Sequence, residues 1–461
     1  MRQPLAEVLV KKIPKEVFEI FKKFKASGFE IYLVGGPVRD LMLGKEIVNP
    51  DFTTNATPEE MQKILPESFY NNIFGTVALM VKTKNGDEKY EITTYRGERN
   101  YNDKRRPEQI WWETSLDKDL ERRESTINAM AIGPTKEGKL ELIDLFEGEK
   151  DLKNKIIRAV GNPDKRFSED ALRMLRAIRF ASQLGFVIES LTFSAIQKNA
   201  SSIKVISGER IRDELFKILS SSYPAEGITL LLTSGLLEYI LPELSAGYKV
   251  SQAKHHKEDV WTHSILSLKN VPSQDPLVKL ATLIHDIGKP VTAKGEGEER
   301  TFYNHEVVGA KMAEKIAQRF HLSNKESDRL VRLVRWHLFS VDERQTDSAI
   351  RRFIRNVGTE NLEDMLALRT GDRLGGGAKE TSWRLEKFKE RLIEVQKQPF
   401  SVTDLKINGK DVMEILGINP GPKVGEVLNK IFEEVVEKKI ENEREKLLKR
   451  IDKIKNLSRP N

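Results

Sequence analysis

The apolar periodicity of this chain changes once, near residue 162, and that change limits the fold more than any other feature of the sequence. Before it, short segments alternate or run apolar as strands do: residues 30–34 (EIYLV), 77–82, 89–95 and 140–145. A short helical run through Leu43 follows Gly35-Gly36, and Thr57-Pro58-Glu59-Glu60 carries the hydroxyl, proline and acids of a helix start. After it the pattern is helical almost throughout. Ala171, Met174, Leu175, Ile178 and Ala181 form one stripe at a helical period. Breaks rich in Gly, Pro or Ser fall at 220–224, 272–276, 294–299 and 371–377. With 461 residues, the chain has material for about two to four domains. The predicted architecture is an α+β head, a mixed β-sheet with helices, followed by several all-α modules.

Composition narrows the chemistry. Cysteine is absent, which excludes disulfides, thiolate nucleophiles and Cys-ligated zinc. The N-terminal residues form no uninterrupted apolar leader, and no stretch approaches the ~20 apolar residues of a membrane span. A cytoplasmic protein without a membrane partner is expected. The net charge of +7, from 77 Lys+Arg against 70 Asp+Glu, suits a polyanionic partner without requiring one. Its distribution says more. Residues 150–179 hold nine bases (150, 153, 155, 158, 165, 166, 173, 176, 179) against four acids (151, 164, 169, 170), a surplus of five. Phosphate contacts from such a cluster would supply sequence-independent RNA affinity, although a solvated helix face reads the same way.

Three elements carry candidate chemistry in the first half. A strand, Gly35-Gly36 and a helix ending in Arg39-Asp40 let backbone N–H groups approach a phosphate, and a plain tight turn explains the glycines equally well. The second element is residues 122–131 (RRESTINAMA). The third is Glu169-Asp170-Ala171-Leu172-Arg173, where i,i+3 spacing would set Asp170 and Arg173 side by side on one helix face. A carboxylate and a forked guanidinium suit a base edge, and an ordinary surface ion pair is the plainer alternative.

In order, residues 31–40 (IYLVGGPVRD), 51–58 (DFTTNATP), 122–131, 144–152 (DLFEGEKDL), 166–181 (RFSEDALRMLRAIRFA), 207–215 (SGERIRDEL) and 407–428 (INGKDVMEILGINPGPKVGEVL) resemble the bacterial class II tRNA nucleotidyltransferase/poly(A) polymerase family. The likeness runs over nearly the whole chain. It implies a nucleotidyltransferase head over 1–160 and a helical neck over 161–250 that reads the nucleotide and binds RNA. It further implies a helical tail over 381–461 that grips the tRNA elbow. It implies two-metal nucleotidyl transfer with Mg²⁺, adding CCA or its terminal A to the tRNA 3′ end from CTP and ATP. Gly35, Gly36 and Arg39 would face the triphosphate, and Arg122, Arg123 and Asn128 the ribose and phosphates. Asp170 and Arg173, with Arg176 and Arg179 beyond them, would address the base. Asp51 would hold metal, with Glu91 a weaker third acid. Residues 96–107 (RGERNYNDKRRP) resemble the family's mobile loop, whose presence favours addition of the terminal A; CCA, A-only and poly(A) addition all stay open.

Three positions depart from the family pattern. Asn49 stands where the first metal-binding Asp belongs, and a neutral amide lacks the charge that a hard Mg²⁺ prefers. Pro50 stiffens the same strand, and Arg122-Arg123-Glu124-Ser125 replaces Arg-Arg-Asp-Phe. Either the site works with altered metal affinity or nucleotide addition is impaired, in which case Asn49→Asp should restore it.

All seven histidines lie between His255 and His337. His263, the pair His285-Asp286 and the distal Asp372 resemble the HD superfamily of metal-dependent phosphohydrolases, with His305 and His337 as further candidates for the same site over 251–380. Imidazole and carboxylate together suit a borderline-to-hard divalent ion of unspecified identity. The resemblance implies phosphodiesterase or phosphatase activity, for example on terminal or 2′,3′-cyclic phosphates. His255, His256 and His321 fall outside the pattern and read as surface residues. Two other readings remain: a phosphohydrolase whose head only binds nucleotide or RNA, and a non-catalytic RNA-binding protein, which the intact histidine set opposes. Residues 424–457 read as a structural helix pair.

Overall fold

The structure, a computed structural model, describes residues 1–70, 75–84, 86–99, 109–112, 115–252, 258–396, 402–437 and 439–457. The chain forms two compact units, Met1–Tyr248 with Gln318–His321, and Lys249–Ala317 with Leu322–Asn461.

The first unit begins with an eight-stranded mixed sheet. Its strands are β1 (Arg2–Pro4), β2 (Ile31–Val34), β3 (Asp51–Thr54), β4 (Phe69–Tyr70), β5 (Thr76–Thr83), β6 (Gly86–Thr94), β9 (Met130–Pro134) and β10 (Leu140–Asp144), in spatial order β1-β10-β9-β2-β3-β6-β5-β4. The ribbon of β7 (Arg96–Arg99) and β8 (Gln109–Trp112) stands apart. Only β3 and β6 pair in parallel within the large sheet. Helix α1 (Lys15–Ala26) buries Val17, Ile20, Phe21 and Phe24, an i,i+3,i+4,i+7 stripe, and Phe21 meets Phe52 of β3 edge-on. Helix α2 (Gly36–Met42) follows β2, and α3 (Pro58–Ile64) starts at Thr57 with a reciprocal capping box to Glu60, as the sequence predicts.

Three local expectations need correction. β3 and β9 are strands outside the expected set, and DFTT of β3 is polar at three of its four positions. It survives inside the sheet because the Thr53 and Thr54 hydroxyls find partners in Thr93 and Glu30 carbonyls. The helix expected across Asp170 is two helices, α5 (Pro163–Glu169) and α6 (Leu172–Leu184). Asp170 sits extended between them (φ −139°), its Oδ1 accepting from Leu172 N. Of the expected loop 96–107, residues 96–99 are strand β7 and the rest lie outside the described residues, as do His255 and His256. Apart from a short parallel pair, Ile156–Ile157 with Val187–Ile188, the remainder of the unit is helical and includes α4 (Leu116–Glu121) between the ribbon and β9, and α7 (Gly208–Leu219).

The second unit is helical. Its core helix, α9 (Pro276–Ile284), is buried on every side from Leu277 through Ile284, which fits a sequence whose apolar run only Lys279 and Thr282 interrupt. Asp275 caps it and Pro276 opens it. Around it lie α8 (Val260–Asn270), α10 (His305–Arg319), α11 (Asn324–Trp336) and α12 (Leu362–Gly375). The C-terminal helices Gly409–Leu416, Pro422–Val436 and Arg444–Leu457 enclose Val412, Ile431, Leu447 and Ile451, so the pair expected over 424–457 forms. Among the described residues no helix is long and apolar enough to cross a membrane.

Candidate functional site

At the end of the head sheet, the parallel pairing of β3 and β6 puts Asp51 directly beside Glu91, so their side chains share one face. Asp51 is exposed at the start of β3, yet crowding by neighbouring atoms and repulsion from the Glu91 carboxylate together push its carboxyl up to about 6 against the pull of Arg123 and Lys89. Glu91 in turn pairs with the Lys89 ammonium. Asn49 is engaged elsewhere. It has a left-handed backbone (φ 48°), its Oδ1 accepts from Lys89 N at 3.2 Å, and its own N–H donates to Glu88 Oε2 at 3.1 Å.

The other expected nucleotide-binding residues assemble around this face. Gly35 (φ +74°) makes the turn into α2, which Gly36 opens; a Cβ on Gly35 would lie 3.2 Å from Arg123 Nη1. Arg39 donates to Asn128 Oδ1 at 3.1 Å and lies 5.5 Å from the Phe180 ring, which Arg179 approaches to 4.4 Å. Arg122 and Arg123 are both held by Asp119 of α4, a fully buried carboxylate that the i,i+3 and i,i+4 spacing of DLERR could have revealed. Glu124 accepts from Asn128 Nδ2 and Arg176. Asp170 and Arg173 do not form the side-by-side pair expected of them. Asp170 accepts from Arg210 of α7 at 3.0 Å, while Arg173 pairs with Glu169 and donates to the Arg122 carbonyl. Arg179 pairs with Glu214. Arg210 and Glu214 lie within SGERIRDEL, but nothing in the sequence says which acid or base they meet. Buried N–H groups on Arg123, Arg176, Arg179 and Arg210 have no hydrogen-bond partner among the described residues.

Glu124 yields a pH prediction. Burial disfavours its anion, but Arg176, a backbone donor and Arg123 overcome this and hold its carboxyl at about 2. A folded-state value below the unfolded one, about 4.3, gives stability that is complete above pH ~5 and is lost as pH falls toward 2. Glu124→Gln should flatten the acid limb of a Tm-versus-pH curve, and an unchanged limb would remove Glu124 as its source.

In the second unit, five helical elements bring six ionisable side chains to one point at the end of buried α9. His263 Nε2 lies 3.2 Å from both His285 Nε2 and Asp372 Oδ1. His285 Nε2 is 3.2 Å from Asp286 Oδ2, and His305 Nε2 and His337 Nε2 lie 3.2 and 3.6 Å from Asp286 Oδ1. The rings are aimed: Nδ1 of His285, His305 and His337 each contacts a backbone carbonyl, of Thr282, Phe302 and Val334, at 2.7 Å. This fixes the tautomer that leaves Nε2 facing inward. Gly288 lets the turn after the pair close up; a Cβ there would fall 2.2 Å from the His305 carbonyl.

Two three-residue groups with metal-ligand spacing share Asp286: His263, His285 and Asp286, and Asp286, His305 and His337. The buried Nε2 atoms of His305 and His337 face Asp286 Oδ1 without forming a well-aligned hydrogen bond to any of the described residues. Burial opposes the anions of Asp286 and Asp372, yet their histidines, and Lys289 beside Asp286, hold both well below the usual carboxylate range. Burial opposes a charge on His285 too, but Asp286 draws its proton affinity up to about 10. The centre attracts positive charge, so its donor set fits divalent cations. Sequence reasoning missed Lys289, which bridges Asp286 and Gln252 Oε1 at 2.6 Å each, and Arg369, 3.1 Å from Asp372. His321 is outside this centre.

Residues 31–158 match the family described as Poly A polymerase head domain, 185–247 Probable RNA and SrmB- binding site of polymerase A, and 304–451 tRNA nucleotidyltransferase domain 2. The CCA-adding enzyme of Ligilactobacillus salivarius is 32% identical over 97% of this chain and 99% of its own length. That of Enterococcus faecalis is 33% identical over 94% of each. The crystal structure of the Bacillus stearothermophilus CCA-adding enzyme in complex with CTP superposes with a TM-score of 0.71 at 28% identity, covering 96% of this chain and 98% of that one. The Thermotoga maritima enzyme complexed with tRNA shares the fold, with a TM-score of 0.63 at 23% identity. The mixed-sheet head, the carboxylate face with its guanidinium array and this end-to-end likeness agree: the chain belongs to the CCA-adding enzyme family of tRNA nucleotidyltransferases.

Proposed function

We propose that this chain completes tRNA 3′ ends, adding CMP and AMP from CTP and ATP without a nucleic-acid template, in the cytoplasmic compartment that holds its tRNA substrate. The observation that carries this reading is the end-to-end match to CCA-adding enzymes, 97% of this chain and 99% of the relative. Divalent ions, when bound, would neutralise the leaving pyrophosphate and activate the attacking 3′-hydroxyl. The chain's own residues do the rest. The backbone after Gly35, with Arg39, orients the triphosphate. Arg122 and Arg123, immobilised by Asp119, present donors without paying ordering entropy on binding. Asp170, as an acceptor beside Arg210, and Arg173 offer complementary groups to a Watson–Crick edge.

The test supplies a tRNA lacking its last three nucleotides with CTP, ATP and Mg²⁺. Extension by three residues ending in CCA is the expected result. Extension only of a tRNA already ending in CC would make this an A-adding enzyme, and continued growth on ATP a poly(A) polymerase. Either outcome replaces the reading.

A second activity rests on a separate observation, the convergence of His263, His285, Asp286, His305, His337 and Asp372. We propose that this centre binds divalent metal and hydrolyses phosphate esters, terminal or 2′,3′-cyclic, of the kind found on processed RNA ends.

A further inference from the structure

We propose that Arg369 is a positioning residue of the histidine centre: seated on Phe339, it turns the Asp372 carboxylate so that one oxygen alone faces the metal. The inference rests on the reading of that centre as a divalent-metal site. Close packing sets where the Asp372 backbone lies. A Cβ on Gly371 would fall 2.8 Å from the Ser267 carbonyl, so the glycine lets α12 lie against α8, the helix of His263. Rotation of the carboxylate about its last bond is a separate freedom, because that torsion of aspartate has only broad minima.

Arg369 removes that freedom. One helical turn earlier on α12, its Nη1 donates to Asp372 Oδ2 at 3.1 Å. The other oxygen, Oδ1, then points into the centre, 3.2 Å from His263 Nε2 and 3.6 Å from His285 Nε2. Arg369 is itself held. Its guanidinium carbon lies 5.4 Å from the centre of the Phe339 ring, within the range of a cation–π contact. That ring packs 4.7 Å from Phe353 and 5.5 Å from Phe388, centroid to centroid, which fixes it in turn. Phe339 lies two residues beyond His337. The segment that carries His337 therefore also supplies the seat for the arginine that orients Asp372.

Charge alone would act in the opposite direction. A guanidinium beside a cation site repels the cation, so deleting it should tighten binding. Positioning predicts weakening, since losing the partner of a metal-binding side chain typically costs about 10–100-fold in affinity.

Mn²⁺ binding to the full-length protein, followed by loss of the free-ion EPR signal, separates the two. The share of bound Mn²⁺ that Asp286→Ala lacks belongs to this centre. Arg369→Gln should weaken that share about tenfold. In an Asp372→Asn background the same substitution should cause no further weakening, because no carboxylate is left to orient. Phe339→Leu, which alters neither a charge nor a ligand, should weaken binding about threefold, and this effect should vanish once Arg369 is replaced. If Arg369→Gln folds poorly, Phe339→Leu with and without Asp372→Asn carries the same test. Tighter or unchanged Mn²⁺ binding in Arg369→Gln, or weakening of equal size with and without Asp372, would overturn the inference. No Mn²⁺ at the centre of the unaltered protein would instead defeat the metal-site reading beneath it, so the two failures are separable.

Discussion

Asp51→Asn should reduce nucleotide addition at least about 10³-fold, because metal-assisted charge stabilisation is worth several kcal/mol and each ~1.4 kcal/mol is tenfold in rate. The substitution keeps the shape and the β3 backbone pairing while deleting the charge. Its effect on stability should have the opposite sign. The native carboxyl is pushed up to about 6 by lost hydration and by Glu91, whereas the unfolded chain releases this proton near pH 4. Between those values the native state alone holds the proton, so stability falls as pH rises from about 4 to 6 and stays lower above that. The neutral variant is free of that cost. At pH 7.5 without divalent ions it should melt above the unaltered protein, and millimolar Mg²⁺ should raise the Tm of the unaltered protein more than that of the variant. An active, unshifted Asp51→Asn protein would remove this carboxylate from the reaction.

That opposition between activity and stability marks what the sequence could and could not reveal. The break between strand and helix periodicity, the capping box at Thr57 and the His-Asp pair after an apolar run are local, and each reads directly from residue order. Partner identity is not local. Asp170 and Arg173 are one turn apart in sequence, yet the chain becomes extended at Asp170, and its carboxylate takes Arg210 from a helix forty residues away. Asn49 presents the same difficulty at shorter range. Its residue type announces a missing charge, while its positive φ and its bond to the Lys89 backbone are visible only in the fold. β3 was hidden for a related reason: its threonines pass as polar loop until the carbonyls that satisfy them are known. The histidine centre was the most legible site. Its six side chains lie on five separate elements, but residues with so few copies as histidine, confined to one stretch, have few other reasons to gather.

Asp286→Ala should empty that centre of metal altogether, since Asp286 is the member common to both ligand groups. The variant leaves the Lys289 ammonium, 2.6 Å from the lost carboxylate and itself buried, without its anion. Breaking a buried charged pair in this way costs about 3–5 kcal/mol, so a lower Tm is expected along with the loss of metal. Asp372→Asn separates the two effects. It withdraws a donor 3.2 Å from His263 while sparing Asp286, His305 and His337. Metal content after exchange into chelated buffer and reloading with Mn²⁺ should therefore drop partway in Asp372→Asn and to background in Asp286→Ala. Hydrolysis of a 2′,3′-cyclic phosphate should fall with it in both. Nucleotide addition should persist in Asp372→Asn, because every residue assigned to that reaction lies in the first unit. Equal metal loss in the two variants would mean that the six groups hold a single ion, and unchanged metal content in Asp286→Ala would mean that they hold none.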